Sequence, residues 1–311
     1  MTRSSFAVAA CRATLLCLVV CGLASCAGEQ PAASAPALVP AERTELAALG
    51  LQYRTAAELY EALKARANGG VRLTKNDVPD WGGVYTRPLE GGIFYDLDSP
   101  DGKPTAKWTP DYQARLDTYV ANLAKGIEYD PLSQCESPGH PRWLTLPFLR
   151  EHIVTPDQTT MIAEAFNSVR RIYTDGRDHI PEADRYPMEN GDSIGFWYQG
   201  QLVVHTNQLT SHMYERAQGF YSEQVETVEV WRQKDERTLE ADVWVYDPEA
   251  LLEPWYTRQR YIKLTNPDNS IRIRHWSCKG NPNNDVYETE EGGSQFRDFT
   301  FTTEDDAGAK Q

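Results

Sequence analysis

From about residue 143 onward, apolar and polar residues alternate in short runs, and this alternation constrains the fold more than any other feature of the chain. Side chains of a β-strand point alternately to opposite faces, so a period of two predicts half-buried strands. In "TLEADVWVY" (residues 238–246), every second residue from Leu239 to Val245 is apolar. Because short turns, and no helical patterns, separate the runs, this half of the chain is predicted to be antiparallel β.

The strand-like runs follow one another closely, so they predict a series of hairpins. They include "GGVYTR" (82–87), "LREHIV" (149–154), "TMIAEAF" (160–166), "SVRRIYT" (168–174), "SIGFWY" (193–198), "QLVVHT" (201–206), "TVEVWRQ" (227–233), "RQRYIKL" (258–264) and "SIRIRHWS" (270–277). We expect eight or nine strands, with a further candidate at "FRDFTFT" (296–302). That many hairpins need closure or a second sheet to protect their edges, which favours a lipocalin-like barrel, with a sandwich as the alternative.

Two helical segments precede this β-rich half. A capping box at Thr55 and Glu58 predicts the start of the first helix, and Gly69 follows its end. Pro110 is typical of a first helical position and starts the second helix, which ends before Gly126. Both helices carry apolar stripes, so we expect them to pack against the sheet.

The first 26 residues are typical of a bacterial export signal. Arg3 and Arg12 supply positive charge, residues 13–24 are almost wholly apolar, and small residues lead to Cys26. The stretch ending at Cys26 looks like the lipobox at which bacterial lipoproteins are cleaved and acylated, and an ordinary cleaved signal is the alternative. By resemblance to Gram-negative lipoproteins, Ala27 in place of Asp favours an outer-membrane lipoprotein that faces the periplasm.

These features divide the chain into five parts. They are a signal peptide (1–25), the lipidated cysteine with a flexible Ala/Pro-rich stalk (26–42), an N-terminal helical segment (43–79), a β-barrel-like domain (80–287) and an acidic tail (288–311). After processing, Cys135 and Cys278 are the remaining thiols. In an oxidising compartment they are expected to form one disulfide, and two free buried cysteines are the alternative.

The charge of the chain limits its partners. With 31 Lys and Arg against 45 Asp and Glu, the net charge is −14, which argues against a nucleic-acid partner. The expected partners are the membrane, through the lipid anchor, and a small-molecule ligand; the sequence identifies no protein partner. No phosphate loop, dinucleotide fingerprint or metal-ligand spacing is present, so no cofactor and no metal are expected.

Four segments resemble, in the same order, a large family of exported bacterial proteins of unknown function. They are "CESPGHPRWLTLPF", "VRRIYTDGRDH", "DSIGFWYQGQLVVHT" and "EPWYTRQRYI". Family members typically carry Arg-Arg-Ile-Tyr-Thr-Asp-Gly-Arg and Ser-Ile-Gly-x-Trp motifs, the latter followed by Leu-Val-Val. The resemblance covers about residues 80–285. It implies membership of the family but no reaction.

This chain departs from that family at two positions: it has Asp192 where the family usually has His, and His205 where the family usually has Asp. If Trp197 pairs with Leu202 across the Gln-Gly turn, Ile194 lies opposite His205 and Asp192 lies diagonal to it on the same face. Diagonal neighbours are roughly 7–8 Å apart, within reach of a side-chain contact. The exchange therefore keeps one acid beside one imidazole.

Three functions are compatible with this pair. The leading hypothesis is a protein that binds a small apolar or aromatic molecule inside the barrel; the alternatives are a cofactor-free lyase, isomerase or hydrolase and a structural envelope protein. In the enzyme, the pair would line the interior, with His205 as acid or base and Asp192 fixing its tautomer. In a structural protein, the two groups would only satisfy each other. The candidate ligand-binding residues nearby are Arg171, Tyr173, Arg177, His179 and Trp197.

Overall fold

The structure, a computed structural model, describes residues 37–88, 95–97, 103–127, 130–265, 270–277, 286–288 and 294–296. The predicted signal peptide, Cys26, Cys278 and most of the acidic tail lie outside these residues. Among the described residues, no helix has both the length and the apolar character needed to cross a bilayer.

Within the described residues, three helices and thirteen strands make up the secondary structure, together with short 3-10 turns. The helices are α1 (Arg43–Gly50), α2 (Ala56–Arg66) and α3 (Pro110–Leu123). The strands are β1 (Gly83–Thr86), β2 (Arg150–Val154), β3 (Gln158–Ala163), β4 (Val169–Tyr173), β5 (Asp192–Tyr198), β6 (Gln201–Asn207), β7 (His212–Met213), β8 (Phe220–Tyr221), β9 (Glu226–Gln233), β10 (Thr238–Tyr246), β11 (Trp255–Lys263), β12 (Val286–Glu288) and β13 (Ser294–Phe296).

Nine of these strands close into a barrel, which confirms the predicted fold class. Around the ring the order is β1-β11-β10-β9-β6-β5-β4-β3-β2, and β2 pairs with β1. A closed ring of strictly alternating strand directions needs an even number of strands, so a ring of nine needs a parallel neighbour. That neighbour is the β4–β5 pair. Between these two strands, residues 174–191 carry the chain back to the end of the barrel where β4 began, and we call them the crossover.

The barrel interior is filled by large side chains. Trp81, Trp197 and Trp231 are each about 1% exposed or less, and they belong to the same buried cluster as the alternating residues Leu239 to Val245. The predicted inward face of β10 is therefore confirmed. The buried Arg170 guanidinium donates to both oxygens of Glu229 at 2.5 and 3.0 Å, so these two opposite charges form a bidentate pair.

The N-terminal helices cover the outer face of the barrel at β6, β9, β10 and β11. Leu46 of α1 and Leu59 of α2 pack in one cluster with Val203 and Val228 of the wall. Leu38, which the sequence assigned to the flexible stalk, is 3% exposed and belongs to the same cluster. The outward-pointing residues of β6 and β9 are therefore also buried, because the helices cover them.

The predictions for individual segments had mixed outcomes. Half of the capping box is present: Glu58 N donates to Thr55 Oγ1 at 3.2 Å, whereas the Glu58 carboxylate accepts from Arg54 N at 2.8 Å in place of Thr55 N, and α2 begins where expected. The short helix α1 was not predicted. The predicted strand at 270–277 is wrong: these residues form no strand, and Trp276 instead packs 4.8 Å from the Phe148 ring and exchanges hydrogen bonds with Asn167.

Candidate functional site

The Asp192–His205 pair lies on the outer face of the barrel. Ile194 pairs with His205 and Trp197 with Leu202, which confirms the predicted register and the shared face. However, His205 lies between Ile194 and Val228, both of the outer cluster, and its ring stacks on Tyr60 of α2 at 5.5 Å. The prediction that the pair lines the interior is therefore wrong. The register fixed which side chains share a face, and helix packing decided which face is outside.

His179 of the crossover stands between the two predicted partners. Its Nδ1 lies 2.7 Å from Asp192 Oδ2, and its Nε2 lies 2.9 Å from His205 Nδ1. The diagonal spacing that suggested a direct contact is thus occupied by a second imidazole. Sequence analysis had placed His179 among ligand-binding candidates, and the structure assigns it to the same group as Asp192 and His205.

Glu226, at the start of β9, completes the group on the other side of His205. Its Oε2 lies 3.1 Å from His205 Nε2. Its side chain is 33% exposed, against 9% for Asp192, 13% for His179 and 5% for His205. The four side chains form what we call the acid–histidine chain, and Glu226 is its most exposed member.

The acid–histidine chain needs one proton for each of its hydrogen bonds. Its three hydrogen bonds join two carboxylates and two imidazoles, and a carboxylate can only accept unless it is protonated. Two neutral imidazoles supply two N–H donors for three bonds. The third bond therefore requires one more proton, carried by an imidazole or by Glu226.

The Asp192 end is electrostatically suited to a positive charge on this chain. Burial opposes ionisation of Asp192, but hydrogen bonds from His179 and from Ile180 N–H, together with the positive charge of Arg177, lower the pKa of its carboxyl. Asp192 is therefore favoured in its ionised form, in which it accepts hydrogen bonds from His179 and from Ile180 N–H. The Gly191 backbone that precedes it has φ +63°, which favours glycine and sets the direction in which β5 begins.

The Glu226 end borders a cleft of about 240 Å³. The cleft, which we call the Glu226 cleft, is lined by Arg185, Tyr186, Pro187, Asn207, Gln208, Glu223, Gln224, Val225 and Glu226. Asn207 Oδ1 and both polar side-chain atoms of Gln208 are buried and have no hydrogen-bond partner among the described residues. Glu226 also lines a second cavity, of about 440 Å³, beside the start of α2. Buried polar atoms without partners need an explanation, and a bound water or ligand at the cleft would supply one.

The other four predicted ligand-binding residues form no hydrogen bond with the acid–histidine chain among the described residues, although the charge of Arg177 acts on Asp192. Arg177 stacks on Tyr173, with its guanidinium carbon 3.9 Å from the ring centroid, and also binds the carboxylate of Asp175. Arg171 is exposed on β4. Trp197 points into the barrel and packs on Trp81 at 4.9 Å. Of the five, His179 alone touches Asp192 and His205.

Glu226 is the member of the acid–histidine chain that sequence reasoning missed. A signal was present, since alternation places Glu226 on the same face as Val228 and Val230. The sequence did not show which strand lies beside Glu226. Strand β9 pairs with β6, although the β7–β8 hairpin lies between them in sequence.

The predicted disulfide is not tested. Cys135 has a partner in the structure, but Cys278 lies outside the described residues, so their pairing stays a prediction.

Comparison with known proteins gives no assignment: no protein-family model matches the chain, and no curated protein matches it.

Proposed function

We propose that this protein performs acid–base chemistry on a small polar molecule bound in the Glu226 cleft. The observation that carries the proposal is the unbroken series of hydrogen bonds from buried Asp192 to Glu226, a carboxylate that lines the cleft. Linked ionisable groups of this kind take up and return a proton without moving far. The cleft volume of about 240 Å³ suits a small molecule.

The proposed step is a reversible proton transfer. With the further proton of the chain on an imidazole, Glu226 is ionised: a substrate X–H bond breaks, its electron pair stays on X, and the proton passes to Glu226 Oε1, the carboxylate oxygen that is not bonded to His205. This uptake neutralises the Glu226 carboxylate, while ionised Asp192 stabilises the positive charge that the imidazoles of His179 and His205 already share. Return of the proton to another atom of the substrate gives an isomerisation, and its delivery to a leaving group gives an elimination.

Glu226 is the group that would touch substrate. His205 would exchange the proton with Glu226, and His179 and Asp192 would position and charge-stabilise His205. Arg185 can hold an anionic part of the substrate, and the amides of Asn207 and Gln208 can bind its polar atoms.

Deuterium exchange tests this proposal without knowledge of the substrate. The mature chain, from residue 27, is incubated in D₂O with a small-molecule extract of bacterial envelopes, and mass spectrometry follows carbon-bound deuterium. We expect at least one compound to gain a deuteron with the unaltered protein. Glu226→Gln should abolish the gain, and Glu223→Gln, which alters an exposed carboxylate of the same cleft outside the chain, should preserve it. Equal exchange by both variants would contradict the proposal.

Binding without turnover is the second candidate, and the buried amide atoms of Asn207 and Gln208 without partners favour it. In that case a molecule copurifies with the protein and no compound gains deuterium. Asn207→Ala should then release the molecule. The leading hypothesis from the sequence, a ligand inside the barrel, instead predicts that the molecule remains after Asn207→Ala.

We also propose that the protein belongs to the exported bacterial family it resembles and is an outer-membrane lipoprotein facing the periplasm. The support is the sequence up to Cys26 and the four motif segments. Cys26→Ala should move the protein from the membrane to the soluble fraction, and persistence in outer membranes would contradict lipid anchoring.

A Cys135–Cys278 disulfide is proposed on the same ground of export. Thiol titration of the denatured, unreduced mature chain should find no free thiol. Two reactive thiols would show that the cysteines are unpaired.

A further inference from the structure

A groove between α3 and the β7–β8 hairpin has the features of a second ligand site. Its volume is about 460 Å³, within the usual range of small-molecule sites. Arg115, Thr118 and Asn122 line it from α3, and His212 lines it from β7. We call it the α3 groove, and it shares no lining residue with the Glu226 cleft.

The floor of the groove is apolar and aromatic. Tyr119, Met213 and Phe220 form a buried cluster that is separate from the two cores of the barrel wall. The Tyr119 and Phe220 rings meet edge to face with centroids 5.6 Å apart. Because these residues belong to a helix and a hairpin, the floor is preformed and suits a flat apolar molecule.

One wall of the groove carries a cation. The Arg115 guanidinium carbon lies 4.0 Å from the Phe220 ring centroid, so it is held over the floor. Among the described residues, it forms no ion pair with a carboxylate. Pro131 and the exposed carboxylate of Glu136 also line the groove, so an anionic group of a ligand is expected at Arg115 and not at Glu136.

His212 supplies a hydrogen-bond acceptor. Its Nδ1 lies 3.3 Å from the carbonyl oxygen of Met213, and a carbonyl can only accept, so Nδ1 carries the proton. Burial lowers the pKa of His212 to about 4, which keeps the ring neutral at pH 7 and leaves Nε2 as an acceptor. Nε2 is buried and has no hydrogen-bond partner among the described residues.

We propose that the α3 groove binds a small aromatic molecule that carries one anionic group and one N–H or O–H donor. The flat body lies on Met213 and Phe220, the anion faces Arg115, and the donor reaches His212 Nε2. This site is independent of the acid–base function proposed for the Glu226 cleft.

Two fluorescent probes that differ in a single group test the proposal on the mature chain from residue 27. 1-Anilinonaphthalene-8-sulfonate has the aromatic rings, the N–H and an anion, and N-phenyl-1-naphthylamine is the same molecule without the sulfonate. Arg115→Gln should weaken binding of the sulfonate probe about fivefold and leave the affinity for the uncharged probe unchanged. Lys75→Gln, the same loss of charge at an exposed residue outside the groove, should alter neither probe.

A blocking variant places the probes in the groove. Thr118→Trp puts a large side chain at an exposed lining position of α3 and should weaken both probes about tenfold, whereas Ala114→Trp, an exposed residue of the same helix outside the lining, should not. Circular dichroism confirms that each variant is folded.

Three results would overturn the proposal. Unchanged probe affinity in Thr118→Trp would show that the probes bind outside the groove. Equal effects of Arg115→Gln and Lys75→Gln would show that the preference for the sulfonate depends only on the overall charge of the protein. A dimer in sedimentation that Thr118→Trp dissociates would assign the groove to self-association.

Discussion

The Nε2 atom of His179 lies 2.9 Å from the Nδ1 atom of His205, and the two residues are 26 positions apart in sequence. One imidazole comes from the crossover that makes the barrel possible with nine strands, and the other from the wall that the crossover passes over. The topological requirement for a parallel strand pair therefore also places the second histidine beside the first.

The contact between Asp192 and His179 should be energetically coupled. Asp192→Ala, His179→Ala and the double variant form a double-mutant cycle in which the coupling is about 1.5–3 kcal/mol, as for hydrogen bonds to charged groups. Urea unfolding at pH 7 measures it. The matched control is the exposed Asp175–Arg177 pair of the same crossover, for which we expect less than about 1 kcal/mol. Equal coupling energies in the two cycles would show that burial does not strengthen the contact between Asp192 and His179.

Exchanging the residues at 192 and 205 should fail to restore the family's usual order. The sequence suggests that Asp192→His with His205→Asp preserves an acid beside an imidazole. In the structure, a carboxylate at position 205 would face Glu226, and the two like charges would repel. We expect the exchanged protein to be less stable than the unaltered protein at pH 7.

Removing the second charge tests that explanation. Adding Glu226→Gln to the exchanged protein should recover part of the free energy of unfolding, and adding Glu223→Gln should not. If the exchanged protein is already as stable as the unaltered protein, the assignment of Glu226 to the chain is wrong.

The ion pair inside the barrel predicts a loss of stability in acid. Burial opposes ionisation of Glu229, but the charges of Arg170 and His140 and the hydrogen bonds it accepts lower its pKa to about 2. Because the folded value lies below the ordinary value of 4.5, the stabilisation is complete above pH 4.5 and is lost as the pH falls toward 2. Glu229→Gln should flatten this part of the pH–stability curve and cost about 3–5 kcal/mol at pH 7, because Arg170 is left buried without its partner. An unchanged slope in urea unfolding would contradict this.

His152 predicts a second pH effect at higher pH. Burial, and the nearby charge of Arg150, lower its pKa to about 3. Below pH 6.5 the histidine is therefore protonated in the unfolded chain but stays neutral in the folded chain. As the pH falls from 6.5 to 3, the free energy of unfolding should decrease by about 1.4 kcal/mol per pH unit for this one proton. His152→Leu should remove this share of the slope, whereas the exposed His275→Leu should leave the slope unchanged.

Gly191 should tolerate substitution less well than Gly200. Both have positive φ, +63° and +74°, so alanine strains the backbone at either position. A Cβ atom at Gly191 would also lie 2.5 Å from the carbonyl oxygen of Asn207, while a Cβ at Gly200 meets nothing within 4 Å. Gly191→Ala should therefore cost at least about 1 kcal/mol more than Gly200→Ala in thermal or urea unfolding. Equal costs would show that Asn207 can move away.

Much of the barrel could be predicted because strand signals are local. The alternation in 238–246 and the Gln199-Gly200 turn depend on residues close in sequence, and together they determined strand β10 and the β5–β6 register. The segment 270–277 shows the limit of such signals, because its alternation is present but Trp276 packs against Phe148 and Phe166.

By itself, then, the sequence determined that Asp192 and His205 share one face of a hairpin, since a pleated strand and a two-residue turn leave no other arrangement of their side chains. The tertiary structure decided three further things: that this face points outward under Tyr60, that His179 fills the space between the pair, and that Glu226 ends the chain at a cleft. Each depends on contacts between elements distant in sequence. Alternation gives a strand two faces but does not say which is covered by helices, and the pairing of β6 with β9 depends on how the whole ring closes.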